Sequence, residues 1–204
     1  RIHKFCFDLA ERRSAKLGVP QSVTCVDKSN VLRGCQLFRS IFREIAESYP
    51  QIGAKEAYID AFTMWLVRDP EDLDVVVLPN MFGDIATDLA SVLQGGMGMA
   101  ASANLGDKHM MFEPVHGSSP KHAGKNRVNP IAMLSSLQLM LENLSLRHDD
   151  PLLDKYGNIL QQAISQHLSS DGPKTYDIGG TGTTSEVGDA IADRVRTLLK
   201  NEKA

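Results

Sequence analysis

Short apolar runs alternate with longer stretches in which apolar residues recur at helical spacing. Residues 2–17 carry Ile2, Phe5 and Leu9 in such a pattern, and Gly18 and Pro20 end it. The same reasoning predicts further helices at 32–49 and 61–67. The short apolar runs predict strands at Ser22–Val26, Ala57–Ile59 and 74–78. Strands that alternate with helices predict an α/β fold with a parallel sheet.

A polar group follows each of these predicted strands. Lys28 follows the first strand, Asp60 the second, and the segment Asn80–Asp88 the third. In open α/β sheets, ligands bind in the crevice outside the carboxyl ends of the strands. Each residue alone has an ordinary alternative, because Lys28 can be a surface lysine and Asp60 a helix cap. Together they indicate one site.

Within the stretch 80–96, the sequence predicts a helix that begins after its cap, Asn80. Its apolar positions are those that recur at helical spacing, namely Ile85, Leu89, Val92 and Leu93. Asp84 and Asp88 are four residues apart, so both carboxylates leave the same helix face. Carboxylate oxygens suit Mg²⁺ or Mn²⁺. An exposed acidic pair without a metal is the alternative.

The second half of the sequence predicts helices separated by two loops rich in small residues. The first loop, Phe112–Lys125, is followed by Asn129 and Pro130, and its small residues and lysines suit either a phosphate ligand or solvent. Helices are predicted at 131–144, with an extension to Arg147, and at 152–168. After the Gly/Thr-rich loop 177–184, Thr184 or Ser185 is expected to cap a last helix. That helix should end near Leu199, before a charged, frayed tail.

Composition narrows the class of protein. The 204 residues are 42% hydrophobic, with a net charge of -3 and no basic run, which argues against a nucleic-acid binder. No apolar stretch reaches membrane-spanning length. Three cysteines without metal-like spacing are typical of reduced thiols, so a cytoplasmic location is expected, or an organelle matrix in a eukaryote. Because Arg1 opens directly into a helical pattern, we expect a piece of a longer protein.

Five segments in this order resemble the β-decarboxylating dehydrogenases, the isopropylmalate, isocitrate, homoisocitrate and tartrate/D-malate enzymes. They are 26–32, 58–61, 80–88, 112–130 and 177–186. The resemblance covers the whole chain and implies a three-layer αβα sandwich without its N-terminal portion. It also implies that residues 1–80 belong mainly to the small, dimerisation domain. Residues 81–204 would then form the C-terminal part of the large cofactor-binding domain.

The resemblance implies a metal-dependent, NAD(P)-linked oxidative decarboxylation of a 2-hydroxy dicarboxylic or tricarboxylic acid. Lys28 matches a proton-relay lysine that also contacts substrate. Asp60, Asp84 and Asp88 match the ligands of Mg²⁺ or Mn²⁺, with Lys28 and Asp60 lent by the neighbouring subunit of a homodimer. The positions that match the cofactor loop are His116, Gly117, Ser118, Ser119, Pro120, Lys121, His122, Val128 and Asn129. No Rossmann glycine fingerprint is present.

Two positions bear on specificity. Val31 matches a position that faces the apolar branch of the substrate in isopropylmalate enzymes, so 3-isopropylmalate, in leucine biosynthesis, is the expected substrate. Isocitrate, homoisocitrate and tartrate or D-malate stay as alternatives. Lys121 resembles the NADP pattern, whereas His122 departs from it, so NAD is expected and NADP stays open. A non-catalytic regulatory subunit or an inactive fragment is the remaining alternative, because the substrate arginines and the enolate-protonating tyrosine of the family would precede Arg1.

Overall fold

The computed structural model describes residues 1–201 and divides into two compact units, Arg1–Ala90 and the segment from Ser91 onward. The charged tail lies mostly outside the described residues. The seven helices of the described part are α1 (Ile2–Leu17), α2 (Arg33–Ala46), α3 (Ile59–Arg68), α4 (Asn80–Ser91), α5 (Ile131–His148), α6 (Pro151–Leu168) and α7 (Thr184–Asn201). The strands are β1 (Ser22–Asp27), β2 (Gly53–Tyr58), β3 (Val75–Val77), β4 (Ala101–Leu105) and β5 (Met110–Pro114).

The first unit is built on a parallel sheet of order β2-β1-β3. Alternate residues of β1 enter different cores, as the two-residue period of a strand requires. Val23 and Cys25 pack with α1 and α2, in a cluster that includes Phe7 and Phe42. Val26 packs in a second cluster with Phe62 of α3 and other residues of α3 and α4. The parallel sheet predicted from the sequence is therefore confirmed.

The first helix was predicted correctly because its signals are local. Helix α1 spans Ile2–Leu17 and ends at Gly18, whose φ of 70° is left-handed. The Gly18 amide donates to the carbonyl of Ser14 at 2.9 Å and so satisfies one terminal carbonyl. A glycine takes this conformation without the steric cost that a Cβ would bring.

The second strand differs from its prediction. The strand expected at Ala57–Ile59 is instead β2, which begins at Gly53 and ends at Tyr58. Ile59 already starts α3, so Asp60 lies in the first turn of that helix. The apolar pattern was misleading because β2 lies at the edge of the described sheet, where Lys55 is exposed and Glu56 half-buried.

Helix α4 forms as predicted, but with a different buried face. The Gly83 amide donates to the carbonyl of Pro79 at 2.9 Å, so Asn80 lies in the first turn instead of capping the helix. Ala86 and Ala90 pack against the core of the first unit. Ile85 is 60% exposed and Leu89 37%, while Val92 and Leu93 lie beyond the helix and are also exposed. The helical periodicity of the apolar residues cannot by itself show that the small side chains, and not the large ones, face the core.

The second unit contains an antiparallel hairpin, β4-β5, that the sequence analysis missed. Phe112 and Pro114, assigned to a loop, lie in β5. The residues of β5 alternate between half-buried and exposed, which hides the strand among polar neighbours. At the turn, the Gly106 amide donates to the carbonyl of His109 at 2.9 Å.

Helices α5, α6 and α7 form the core of the second unit around Ile131, Ile164 and Val187. These three helices were predicted close to their observed bounds. Within residues 1–201, no helix is both long and apolar enough to cross a membrane.

Candidate functional site

The two predicted catalytic residues meet in the first unit. Lys28 Nζ donates to Asp60 Oδ1 at 2.7 Å, joining the turn after β1 to the first turn of α3. The hydrogen bond from Lys28 lowers the pKa of the Asp60 carboxyl below its usual range. The Asp60 side chain is exposed, so the pair is open to a ligand. The prediction that the neighbouring subunit lends both Lys28 and Asp60 to a site requires that the two side chains lie close together within one chain, as they do.

An ion network centred on the buried pair Asp27 and Arg39, which the sequence did not predict, holds the Lys28 turn. Asp27 is fully buried and accepts hydrogen bonds from Arg39 and from the amide of Ser29. Arg39 also donates to the carbonyl of Ala57, at the end of β2. Arg43 donates to Glu56 at 2.6 Å, and this hydrogen bond lowers the pKa of the Glu56 carboxyl. Arg39 and Glu56 are distant in sequence, and nothing in the local pattern pairs them.

Val31, the predicted substrate contact, is exposed beside this turn. The amides of Val31 and Leu32 both donate to the carbonyl of Lys28, at 3.0 Å and 2.8 Å. Val31 therefore stands one tight turn from the lysine, with 66% of its surface open. Its contact with substrate stays a prediction.

Asp84 and Asp88 lie one turn apart on α4, and both are exposed. Asp84 Oδ2 accepts a hydrogen bond from Asn80 Nδ2 at 3.3 Å, which leaves its other oxygen available to a cation. Within residues 1–201, no three His, Cys, Asp or Glu side chains converge into a metal site. Two hard carboxylates fit a divalent cation chemically, but a complete site requires at least one more ligand.

The predicted cofactor loop borders a cavity of about 1040 Å³ in the second unit. Seven of its nine predicted residues line the cavity: His116, Gly117, Ser118, Ser119, His122, Val128 and Asn129. Pro120 and Lys121 lie in the short 3-10 turn Pro120–His122, with exposed side chains. Ser119, Gly124 and Asn126 have positive φ values, so the loop turns sharply at three points. This volume matches the upper range of small-molecule sites.

Asparagine and aspartate side chains form one wall of the cavity. Asn129 is buried; its Nδ2 donates to Asp177 Oδ2 at 3.0 Å and its Oδ1 accepts from the Ile131 amide, at the start of α5. Thr175 Oγ1 donates to the other oxygen of Asp177. Gly98 packs here so closely that a Cβ would lie 2.5 Å from Asp177 Oδ2. The Asn129 side chain thus positions the wall, and Asp177 is a site residue missing from the prediction.

Aromatic and cationic side chains stand near the cavity. Tyr176 and His122 line it, with ring centroids 5.8 Å apart. The Arg127 guanidinium lies 4.2 Å from the centre of the Tyr176 ring, within the range of a cation–π contact. A flat aromatic surface next to positive charge fits a nucleotide, which has a stacking base and anionic phosphates. Glycines and threonines mark the loop 177–184 in the sequence, but nothing there indicates that Tyr176 contacts Arg127.

Comparison with known proteins agrees with the fold. A sequence profile of the family described as isocitrate/isopropylmalate dehydrogenase matches residues 1–191. The chain belongs to this family, whose members are oxidative decarboxylating dehydrogenases. The resemblance recognised in the sequence is therefore confirmed, as is the α/β fold of that family.

Particular relatives are similar throughout the chain. The 3-isopropylmalate/3-methylmalate dehydrogenase of Methanocaldococcus jannaschii is 43% identical over 197 residues, covering 96% of the chain and 56% of the relative. The 3-isopropylmalate dehydrogenase of Bacillus cereus is 41% identical, covering 94% and 51%. The chain therefore spans about half the length of the curated relatives it matches.

Solved structures of related enzymes have the same fold as this chain. A β-decarboxylating dehydrogenase from Thermococcus kodakarensis aligns with a TM-score of 0.85 at 37% identity, over 100% of this chain and 56% of that chain. An isocitrate dehydrogenase from Methylococcus capsulatus aligns with a TM-score of 0.84 at 36% identity, over 96% and 55%. The relatives are named 3-isopropylmalate dehydrogenases and this neighbour is named an isocitrate dehydrogenase, so the fold alone leaves the substrate open.

Proposed function

We propose that this chain carries part of the machinery for the metal-dependent, NAD(P)-linked oxidative decarboxylation of a 2-hydroxy acid, with 3-isopropylmalate as the substrate. The observation that carries the proposal is the large cavity bordered by residues 116–129, in a chain of this family. Tyr176 and His122 offer aromatic surface for a base, and Arg127 and Lys121 offer charge for phosphates.

Lys28 and Asp60 supply the proton transfer. When bound, NAD or NADP would supply a hydride acceptor, and Mg²⁺ or Mn²⁺ would supply a Lewis acid. Asp60 holds the Lys28 ammonium 2.7 Å away, which fixes the position of the donor. In this role Lys28 exchanges a proton with the reacting oxygen or carbon of the substrate. Asp84 and Asp88, on the exposed face of α4, hold the cation.

The active form is a homodimer in which each site takes Lys28 and Asp60 from the neighbouring chain. The missing third metal ligand would then be Asp60 of the other copy. The apolar side of α4 supports this proposal, since Met81 and Ile85 are 63% and 60% exposed. Large apolar side chains grouped on one helix face are characteristic of an interface.

The choice of 3-isopropylmalate rests on Val31 and on the names of the relatives. Val31 presents an apolar surface one turn from Lys28, which suits a branched aliphatic substituent. An isocitrate enzyme would need a polar or cationic contact for its third carboxylate. The cytoplasm is the proposed location, supported by three buried cysteines that are all free.

The test is a pair of calorimetric titrations of the purified chain. We expect saturable binding of NAD⁺ or NADP⁺ that is lost in Gly98→Ala, because the new Cβ displaces Asp177 from the cavity wall, and kept in the control Gly188→Ala. Mn²⁺ should bind and lose its affinity in Asp84→Asn, while Asp171→Asn, on the other unit, binds as before. A chain that binds neither nucleotide would refute the proposal. Co-purification of the chain with a longer homologue would favour the regulatory-subunit alternative.

A further inference from the structure

Asn126 joins the cofactor loop to the last helix of the chain. Its backbone is left-handed, with φ of 49°, a conformation that asparagine adopts more readily than most residues. In this conformation its carbonyl oxygen accepts the amide of Thr184 at 3.0 Å. Its side-chain Oδ1 accepts both the amide of Ser185, at 3.1 Å, and the hydroxyl of Ser185, at 3.0 Å. One residue therefore makes three contacts with the start of α7.

The remaining leading amides of α7 also have partners. The amide of Glu186 donates to Thr183 Oγ1, and the Glu186 carboxylate accepts from the amide of Thr183 at 2.8 Å. This reciprocal pair is a capping box, so Thr183 is the cap where Thr184 or Ser185 had been expected. The Val187 amide donates to the carbonyl of Thr183. The first four amides of a helix have no partner within the helix, and in α7 all four donate to the acceptors named above.

A fourth bond ties the same two segments together. Thr184 Oγ1 donates to the carbonyl of Val128 at 2.6 Å. Asn126, Val128 and Thr184 all line the cavity, so these bonds lie within its wall. The loop segment 126–128 is therefore anchored to a helix that begins 58 positions after Asn126.

We propose that Asn126 is a positioning residue that holds the loop in its nucleotide-binding shape before the nucleotide arrives. The inference rests on the proposed function, since it assigns the cavity to NAD or NADP. A loop already fixed in its bound conformation loses less conformational entropy on binding. Asn126 suits this role because it combines a left-handed backbone with a side-chain acceptor, and both features are used here.

Three variants separate the backbone contribution of Asn126 from that of its side chain. Asn126→Gly keeps access to the left-handed conformation but removes Oδ1. Asn126→Asp keeps the acceptor, and its negative charge suits a helix N-terminus. Thr184→Val keeps the shape of the side chain and removes only the hydroxyl bond to Val128.

We call the hydrogen bonds that join Asn126 and Val128 to Thr184 and Ser185 the clasp. The first measurement is amide hydrogen exchange at Ser185, which reports the clasp without any nucleotide. We expect faster exchange in Asn126→Gly and wild-type protection in Asn126→Asp. Equal exchange rates in the wild type and Asn126→Gly would refute the clasp. This outcome is independent of whether the cavity binds NAD or NADP.

The second measurement is the Kd for NAD⁺ and NADP⁺. Asn126→Gly and Thr184→Val should each weaken the tighter-binding nucleotide about tenfold, equivalent to ~1.4 kcal/mol. Asn126→Asp should bind within about threefold of the wild-type affinity, an improvement of at least about 0.7 kcal/mol over Asn126→Gly. Unchanged affinity in both weakening variants would overturn the positioning role. A wild-type chain that binds no nucleotide refutes the proposed function, while the exchange result still judges the clasp.

Discussion

Arg39 donates two parallel hydrogen bonds to the buried carboxylate of Asp27, from Nε to Oδ2 at 2.9 Å and from Nη2 to Oδ1 at 2.8 Å. The Asp27 side chain has no exposed surface and that of Arg39 is 11% exposed. The planar guanidinium matches the carboxylate edge, a geometry that lysine cannot reproduce. Asp27 precedes Lys28 directly, so this pair anchors the turn that presents the proposed catalytic lysine.

Removing Arg39 should therefore be costly. Arg39→Met leaves Asp27 charged, buried and without its main partner, and we expect a loss of about 3–5 kcal/mol in the free energy of unfolding. Arg43→Met is the matched control, because Arg43 is exposed and water screens its pairing with Glu56, so we expect a much smaller loss. Urea unfolding measures both. Equal losses in the two variants would contradict the special role of the buried pair.

His167 should make the stability of the chain depend on pH. Its ring is fully buried, Nε2 donates to the carbonyl of Pro173 at 2.9 Å, and Nδ1 has no partner within residues 1–201. Burial lowers the pKa of His167, and the nearby charges of Arg194 and Lys174 lower it further, although the Pro173 contact opposes them. The folded chain thus binds this proton less readily than the unfolded chain.

The sign of the effect follows from this difference. Stability is complete above the unfolded pKa of about 6.5 and falls as pH decreases through the window between the unfolded and folded values. His167→Gln keeps a donor for Pro173 but does not titrate, so its unfolding free energy should fall less below pH 6.5. The exposed His109→Gln is the control. Urea titrations at several pH values provide the measurement, and identical pH profiles for wild type and His167→Gln would contradict the prediction.

Two glycines of the second unit should respond oppositely to alanine. At Gly180, a Cβ would lie 2.0 Å from the carbonyl oxygen of Lys174, so the backbone must move. We expect Gly180→Ala to destabilise the chain by about 1–3 kcal/mol. At Gly188, inside α7, nothing lies within 4 Å of a Cβ, so alanine should stabilise the helix by up to about 1 kcal/mol. Thermal unfolding compares the two, and a stabilising Gly180→Ala would be incompatible with the observed packing.

The three thiols should be unreactive in the native chain. Burial raises the pKa of Cys25 to about 12 and that of Cys6 to about 11. Cys35 is also buried. Because the thiolate is the reactive species, a disulfide reagent at pH 8 should modify none of them rapidly, and all three after denaturation. Rapid native modification of Cys25 would show that its strand opens to solvent.

Exchanging the charge of Lys121 tests nucleotide preference. Its exposed ammonium beside the cavity should favour the 2′-phosphate of NADP. Lys121→Asp should raise the ratio of NADP Kd to NAD Kd about tenfold, ~1.4 kcal/mol of discrimination. Lys108→Asp, in the β4–β5 turn, should leave the ratio unchanged. If the wild type, Lys121→Asp and Lys108→Asp had the same ratio of NADP Kd to NAD Kd, Lys121 would not contribute to nucleotide specificity.

The end of α1 and the edge of the sheet that carries Lys28 and Asp60 could be predicted from the sequence, whereas the β4–β5 hairpin and the Arg39–Asp27 pairing could not. Gly18 ended α1 as predicted because a left-handed terminus requires only one residue. Lys28 and Asp60 were placed together by topology, because adjacent parallel strands end at one edge of the sheet. The bond between Arg39 and Asp27 escaped prediction, since nothing near either residue specifies its partner.

Exposure was harder to predict than element type. Helix α4 was recognised from Ile85 and Leu89, yet Ala86 and Ala90 face the core. A periodic pattern defines an apolar stripe but not what covers it. The loop residues from His116 to Asn129 were identified through family resemblance, while Tyr176 and Asp177 joined them only through the tertiary fold.

The filled N-terminus of α7 has a consequence for ionic strength. Because Asn126 and Thr183 occupy its leading amides, that helix has no free donors for a phosphate. On this chain, the loop beside the cavity carries positive charge on the exposed side chains of Lys121, Lys125 and Arg127. Dissolved ions screen such exposed charges over a Debye length of about 8 Å at physiological salt. The affinity of this chain for a nucleotide should therefore decrease as the salt concentration of the solution rises.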